Sequence, residues 1–300
     1  MIKYILLSLF SIVSSCNVLT LSGGGVYGAY EIGIVSKLFE NGETYDLITG
    51  ISAGSINTAY LSTIPSGKEK YYTSEFKSLW ASIKNKDIYK NIYFLNGLSF
   101  YDTTPLTDTI NRIYSTRIPI RPIKIGATSL IDGKTRVFNE NDLIKYGYND
   151  IILSSTAIPI VFPPHQFLKD IFIDGGFTSN ILLNEGINFC LKNYPIEKIY
   201  VDVIVCGHKL NKDIDVSMHL KDLLSRIYSV IKQQVQYAEL LHPILEDNIY
   251  ITVYEQKHDD SYSLLDFNAT SVLFDEGYSF SNVNVYWLNN TKKVEIKLNY

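Results

Sequence analysis

Three hundred residues, 46% hydrophobic and 19% charged, carry enough apolar side chain for one large buried core, which excludes a disordered chain. The net charge is -4, with Lys and Arg scattered and no basic stripe, so nucleic acid is excluded as the natural partner. Three cysteines define neither a disulfide framework nor a zinc site.

The chain begins with Lys3, an apolar run over residues 4–13, then Ser14, Ser15 and Cys16. That is the order of a secretory leader, and the run is far short of the ~20 residues that cross a bilayer. Residues 1–16 are therefore read as a signal peptide, with the protein secreted or in the secretory-pathway lumen. The competing reading is a cytoplasmic protein whose N-terminus packs on the sheet. Val13-Ser14-Ser15-Cys16 also has the look of a lipobox, but a core strand starting at Val18 leaves no tether for a lipid on Cys16.

Residues 18–21 form an apolar run ending in Ser22-Gly23-Gly24-Gly25, and Ile32, Val35, Leu38 and Phe39 then recur at helical spacing until Asn41-Gly42 closes the pattern. Asp46-Leu47-Ile48-Thr49 reads as a second strand, residues 50–54 as a turn, and the small residues 55–59 as a helix packed close behind it. This alternation predicts a parallel α/β sheet. Residues 71–117 read as helix and loop, with Tyr89, Tyr93, Phe94, Phe100 and Tyr101 concentrated in them. A strand at 123–129, a hairpin at Asp132-Gly133-Lys134, a buried strand at 199–206 and late strands at 249–254 and 294–298 follow. Leu220, Leu223, Leu224, Ile227, Val230 and Ile231 mark a long amphipathic helix.

Three local patterns carry chemistry. Gly50-Ile51-Ser52-Ala53-Gly54 fits G-x-S-x-G between a strand and a helix, where a tight turn projects a serine hydroxyl above the sheet edge. Gly23-Gly24-Gly25-Val26-Tyr27-Gly28 opens a helix whose free amides can bind an oxyanion. The same glycines satisfy the dinucleotide pattern G-x-G-x-x-G, but that needs an acidic residue ending the second strand. Asp46 lies at that strand's start, and the serine turn occupies its end. Asp174-Gly175-Gly176 follows the apolar Ile171-Phe172-Ile173 and offers the base that a serine needs. Each pattern alone is more often a capped turn or a hairpin.

Taken in order, G-G-G-x-x-G, G-x-S-x-G and D-G-G resemble the patatin-like phospholipase family. The stretch Ser154-Ser155-Thr156-Ala157-Ile158-Pro159-Ile160-Val161-Phe162-Pro163-Pro164 is similar to the one preceding that family's aspartate. The resemblance covers residues 17–176 best, within one hydrolase domain at 17–300. It implies a three-layer α/β/α fold with a mainly parallel central sheet and a Ser-Asp dyad, Ser52 as nucleophile and Asp174 as base. It also implies an oxyanion hole from Gly23, Gly24, Gly25 and Ala53, with Gly28, Gly50, Gly54, Gly175 and Gly176 as motif glycines. No metal or organic cofactor is required, and the implied partners are a lipid or phospholipid ester and, transiently, a membrane or lipid-aggregate surface. Tyr27 departs from the Arg or Lys that many members carry there. Two alternatives stand beside phospholipase A or lysophospholipase activity: a non-catalytic lipid-binding protein of the same fold, and a Ser-His-Asp esterase using one of His165, His208, His219, His242 and His258. An acyl route lined by the aromatics of residues 89–101 is a further expectation.

Overall fold

A computed structural model describes residues 15–92, 97–194, 198–206, 219–244, 246–256, 262–281, 283–289 and 292–296. Its main sheet has ten strands: β1 (Ser15–Leu21), β2 (Leu47–Ile51), β3 (Ile123–Ser129), β4 (Thr135–Asn139), β5 (His165–Phe167), β6 (Asp170–Asp174), β7 (Lys198–Val205), β8 (Ile249–Gln256), β9 (Val283–Asn289) and β10 (Lys292–Ile296). The order across it is β10-β9-β8-β7-β1-β2-β3-β6-β5, with β4 paired to β3. Strands β8, β7, β1, β2 and β3 run parallel, and antiparallel hairpins extend both flanks.

Side-chain alternation puts a separate core on each face of the parallel centre. Leu19, Leu21, Ile48 and Ile204 face helices α1 (Gly28–Glu40) and α2 (Ala53–Leu61). Val18, Leu47, Val201 and Val203 face α4 (Leu183–Asn193) and α5 (Leu220–Leu241). Helix α3 (Tyr148–Thr156) joins the first core through Ile151 and Ile152, and α6 (Thr270–Tyr278) joins it through Leu273 and Phe274. Three layers, helix on sheet on helix, follow from that alternation, as expected from the motif resemblance.

Two expectations change. Strand β1 starts at Ser15, before Val18, and Cys16 is buried and disulfide-bonded to Cys190 on α4, with 5.7 Å between the Cα atoms. The amphipathic helix over 220–241 is present but turned: Leu220, Leu223, Ile227 and Val230 face solvent, while Tyr228, Lys232 and Gln236 are buried. Its polar residues spaced four apart share one face, and that face meets backbone groups that need partners. Residues 1–14 of the expected leader, His208, His258 and Phe94 lie outside the described residues.

The Cys16–Cys190 bond closes a loop of 174 residues. Chain-entropy arguments put its contribution at up to ~5 kcal/mol. Cys190→Ser, or reduction of the bond, should lower the thermal midpoint by several degrees; an unchanged midpoint in the oxidised wild type and the variant would contradict the pairing.

Candidate active site

Along one edge of β3, Ile51 pairs with Gly126, and the next residue, Ala127, pairs with Asp174. Strand β2 turns away after Ile51, and β6 occupies the ladder position that β2 vacates. The register of three strands thus brings Ser52 and Asp174 together although they are far apart in sequence.

Ser52 leaves the sheet with φ 51° and ψ -120°, a region that side-chain-bearing residues rarely adopt and that surrounding contacts must enforce. Two glycines permit it. A Cβ on Gly50 would lie 2.3 Å from the Gly54 carbonyl oxygen, and one on Gly54 would lie 2.5 Å from that of Leu21. Ser155 on α3 clamps the turn from behind: its Oγ accepts from the Ser52 amide at 2.9 Å and donates to the Gly126 carbonyl at 2.7 Å. The Ser52 side chain is buried with only a small opening.

Asp174 has no exposed surface. Its backbone is fixed by its amide donating to the Ala157 carbonyl at 2.9 Å and its carbonyl accepting from Thr128 Oγ1 at 3.0 Å. Oδ1 accepts from the Gly176 amide at 2.9 Å. Glycine is required at 175 because a Cβ there would lie 2.6 Å from the Gly126 carbonyl oxygen. Burial raises the carboxyl pKa from 3.8 to about 6, against the stabilising pull of the Ser52 hydroxyl, the Gly176 amide, the Tyr228 hydroxyl and the Lys232 charge. Oδ2 has no well-aligned hydrogen-bond partner among the described residues. The Ser52 and Tyr228 hydroxyls adjoin the carboxylate without completing an aligned bond to Oδ2, a looseness common before substrate binds.

The glycine turn divides into two parts. The Gly23 amide is already donated to Asn180, at 3.2 Å to Oδ1 and 3.3 Å to the carbonyl. This corrects the expectation that Gly23 belongs to the oxyanion hole, because a committed donor cannot also meet a developing charge. Gly25 has φ +58°, and a Cβ there would lie 2.3 Å from the Leu264 carbonyl oxygen, so only glycine fits. Gly25, Ser52 and Ala53 line one pocket, while Gly24 packs against Cys206. Gly28 is required for packing, since a Cβ there would meet the Trp80 ring and the Ala53 side chain.

The pocket in front of Ser52 measures about 30 Å³ and is walled by Ile56, Ile88, Leu106, Ile158, Phe162, Leu265 and Phe267. Tyr89 and Tyr101 stand behind Phe162, with ring centroids 6.3 and 6.4 Å from it, and do not line the pocket. Tyr89 and Tyr101 thus form a second layer behind Phe162, while Tyr93 and Phe94 of the expected route lie outside the described residues. Tyr27 is buried, with its hydroxyl donating to the Tyr262 carbonyl at 2.9 Å. Among the described histidines, His165 pairs with Asp150 at 2.9 Å, and none of His165, His219 and His242 is among the groups that shift Asp174.

Sequence reading missed Asn180, Tyr228, Lys232 and Gln236. Ser155 lies in the stretch that precedes the aspartate, where no pattern marks its role. No local pattern marks any of them, because each acts on a segment distant in sequence.

Comparison with known proteins places the chain in a family. The family model for patatin-like phospholipases matches residues 19–187. A cGAMP-activated phospholipase of Escherichia coli is 29% identical over 194 residues, covering 55% of this chain and 52% of the relative, so the chain spans about half that relative's length. A cGAMP-activated phospholipase of Vibrio cholerae is 25% identical, covering 61% of each. An uncharacterized protein of Acanthamoeba polyphaga mimivirus is 24% identical, covering 69% of this chain and 80% of the relative. Among solved structures, VipD from Legionella pneumophila matches with a TM-score of 0.41 at 12% identity, covering 90% of this chain and 67% of that one. With the family model spanning more than half its length, the chain belongs to the patatin-like phospholipase family.

Proposed function

We propose that the chain hydrolyses carboxylic esters of lipids, as a phospholipase A or lysophospholipase, through an acyl-enzyme on Ser52 with Asp174 as base. The observation that carries this is the ladder position of Asp174, next to the strained Ser52 turn and out of solvent. Asp174 takes the hydroxyl proton as Ser52 Oγ attacks the ester carbonyl carbon. The amides of Gly24, Gly25 and Ala53 stabilise the oxyanion, in a pocket that excludes water and so strengthens those bonds. The alcohol leaves with the proton. Water activated by Asp174 then attacks the acyl carbonyl, releasing the fatty acid and restoring Ser52. A pKa of about 6 suits a base working near neutrality. The apolar lining favours an acyl chain, and the pocket must widen to admit one.

Ser52→Ala and Asp174→Asn should each reduce ester hydrolysis by several orders of magnitude, because nucleophile and base act as a unit. Asp174→Asn should at the same time melt higher. The folded pKa lies above the ordinary 3.8, so ionisation costs stability above about pH 6, by up to ~3 kcal/mol, and the cost disappears as both forms become neutral towards pH 4. Retained activity in either variant would remove the dyad; inactivity of the wild type would favour the lipid-binding alternative. Because two relatives are named as cGAMP-activated, the assay is run with and without cGAMP.

A lipid surface is the proposed partner, supported by the outward stripe of Leu220, Leu223, Ile227 and Val230 on the helix whose inner face carries Tyr228. Exposed apolar stripes of this kind mark interaction surfaces. Leu223→Gln with Ile227→Gln should lower hydrolysis of vesicle phospholipid roughly tenfold and leave a soluble short-chain ester unaffected. Equal rates on vesicles would exclude the stripe.

We further propose that residues before Cys16 are an export leader, supported by a buried disulfide, which forms in oxidising compartments. Cleavage then precedes Cys16, whose sulfur is needed by Cys190. Mass spectrometry of exported protein should find the N-terminus at or before Cys16; retained Met1 would refute the leader.

A further inference from the structure

Helix α5 presents a polar seam to the active site: the buried Tyr228, Lys232 and Gln236 and, one turn on, the half-buried Glu239. Glu239 accepts from the amides of Asn180 at 2.7 Å and Ile181 at 3.1 Å, and from Ser179 Oγ at 2.6 Å. Gln236 Oε1 accepts from Asn180 Nδ2 at 2.8 Å, which turns Asn180 Oδ1 onto the Gly23 amide. Lys232 Nζ donates to the Gly23 carbonyl at 2.9 Å and to the Cys206 carbonyl at 3.3 Å. Gly23 is therefore held at both its amide and its carbonyl by groups that α5 supplies or orients. The Tyr228 hydroxyl and Asp174 Oδ1 both lie 3.2 Å from where a Cβ on Gly176 would sit, which places the phenol beside the carboxylate.

Nothing in ester hydrolysis by a dyad calls for this arrangement, and a lysine with its ammonium out of solvent is costly unless its position is used. Resting on the ester-hydrolase reading, we propose that Lys232 and Tyr228 are positioning residues of the site. Lys232 pins the glycine turn to the end of β7 and directs a cation at Asp174, and Tyr228 sets a hydroxyl beside the Asp174 carboxylate.

The charged and titratable groups facing the pair can be named from each element. Lys232 faces Cys206 after β7, Asp174 at the end of β6 and Glu31 on α1. Tyr228 faces Asp174 and Ser52. Burial drives Glu31 well up, although its carboxylate accepts from Asn57 Nδ2 at 2.9 Å. It drives the Cys206 thiol up as well. Burial thus disfavours the anionic form of both groups. Burial lowers Lys232 to about 8, with Cys206, Asp174 and Glu31 opposing.

The test uses the 300-residue chain and its variants Lys232→Gln, Lys232→Met and Tyr228→Phe. Gln keeps a donor for the two carbonyls without the charge; Met keeps neither. In ester hydrolysis, Lys232→Gln and Tyr228→Phe should lower kcat roughly tenfold or more with KM nearly constant, the pattern of lost transition-state support. The acid limb of the wild-type profile, near 6, should move up in both, since each removes a group that stabilises the Asp174 anion. The alkaline limb near 8 should vanish with Lys232. Lys232→Met should lose more than Lys232→Gln.

A second readout is independent of activity. The difference in thermal midpoint between proteins with and without Asp174→Asn, followed against pH, reports the Asp174 titration; its midpoint should rise in the Lys232→Gln background. If the wild type proves inactive, the hydrolase reading fails while this readout still decides the electrostatic link. An unmoved Asp174 midpoint, or lower thermal stability with the pH limbs unchanged, would overturn the proposal and leave α5 a packing element.

Discussion

The Asp174 carboxylate is held out of solvent within reach of a serine hydroxyl, and the rest of the site answers to that placement. Removing a carboxylate from water disfavours its charge by several kcal/mol unless dipoles and cations replace the lost hydration. Here the compensation is partial. One amide, two neighbouring hydroxyls and a lysine pull against burial, and the balance stops near neutrality. A fully compensated carboxylate would be a weak base, and an uncompensated one would stay protonated.

Backbone geometry supplies what side chains cannot. Strand β6 reaches the serine only because β2 ends at Ile51, and β2 can end there only because Ser52 turns through a positive φ. Gly50 and Gly54 remove the collisions that such a turn creates, and Ser155 ties the strained amide to β3. Strain at Ser52 is thus distributed into packing on both sides of the turn. The second core, on the opposite face, holds the strands in register, and the Cys16–Cys190 bond fastens β1 to α4 there.

The parts of the site that were legible in sequence are local. Ser52 with its glycines, Asp174 with Gly175 and Gly176, and the turn at residues 23–25 each occupy a few consecutive residues whose spacing expresses a backbone constraint. The parallel alternation was legible for the same reason. What escaped lies in long-range partnership. Nothing around Asn180 signals that its side chain will take the Gly23 amide, so the oxyanion expectation included one donor too many. The heptad-like apolar positions of α5 correctly indicated a helix, yet which side was buried depended on backbone carbonyls at Gly23 and Cys206, residues that no periodicity reveals. Tyr89 and Tyr101 follow the ordinary tendency of rings to fill space behind a wall. Leu265 and Phe267, which do line the pocket, come from a part of the chain with no motif.

The central claim is that Ser52 is activated by Asp174, and covalent trapping tests it without any assumption about the lipid. A fluorophosphonate reacts with an activated serine through the same attack and leaves a stable adduct that peptide mapping locates. The account predicts one adduct, on Ser52 in the peptide containing Gly50 to Gly54, formed rapidly in the wild type above about pH 6. It predicts almost no adduct in folded Asp174→Asn. An adduct on another serine, or equal labelling of Ser52 with and without the Asp174 carboxylate, would contradict it.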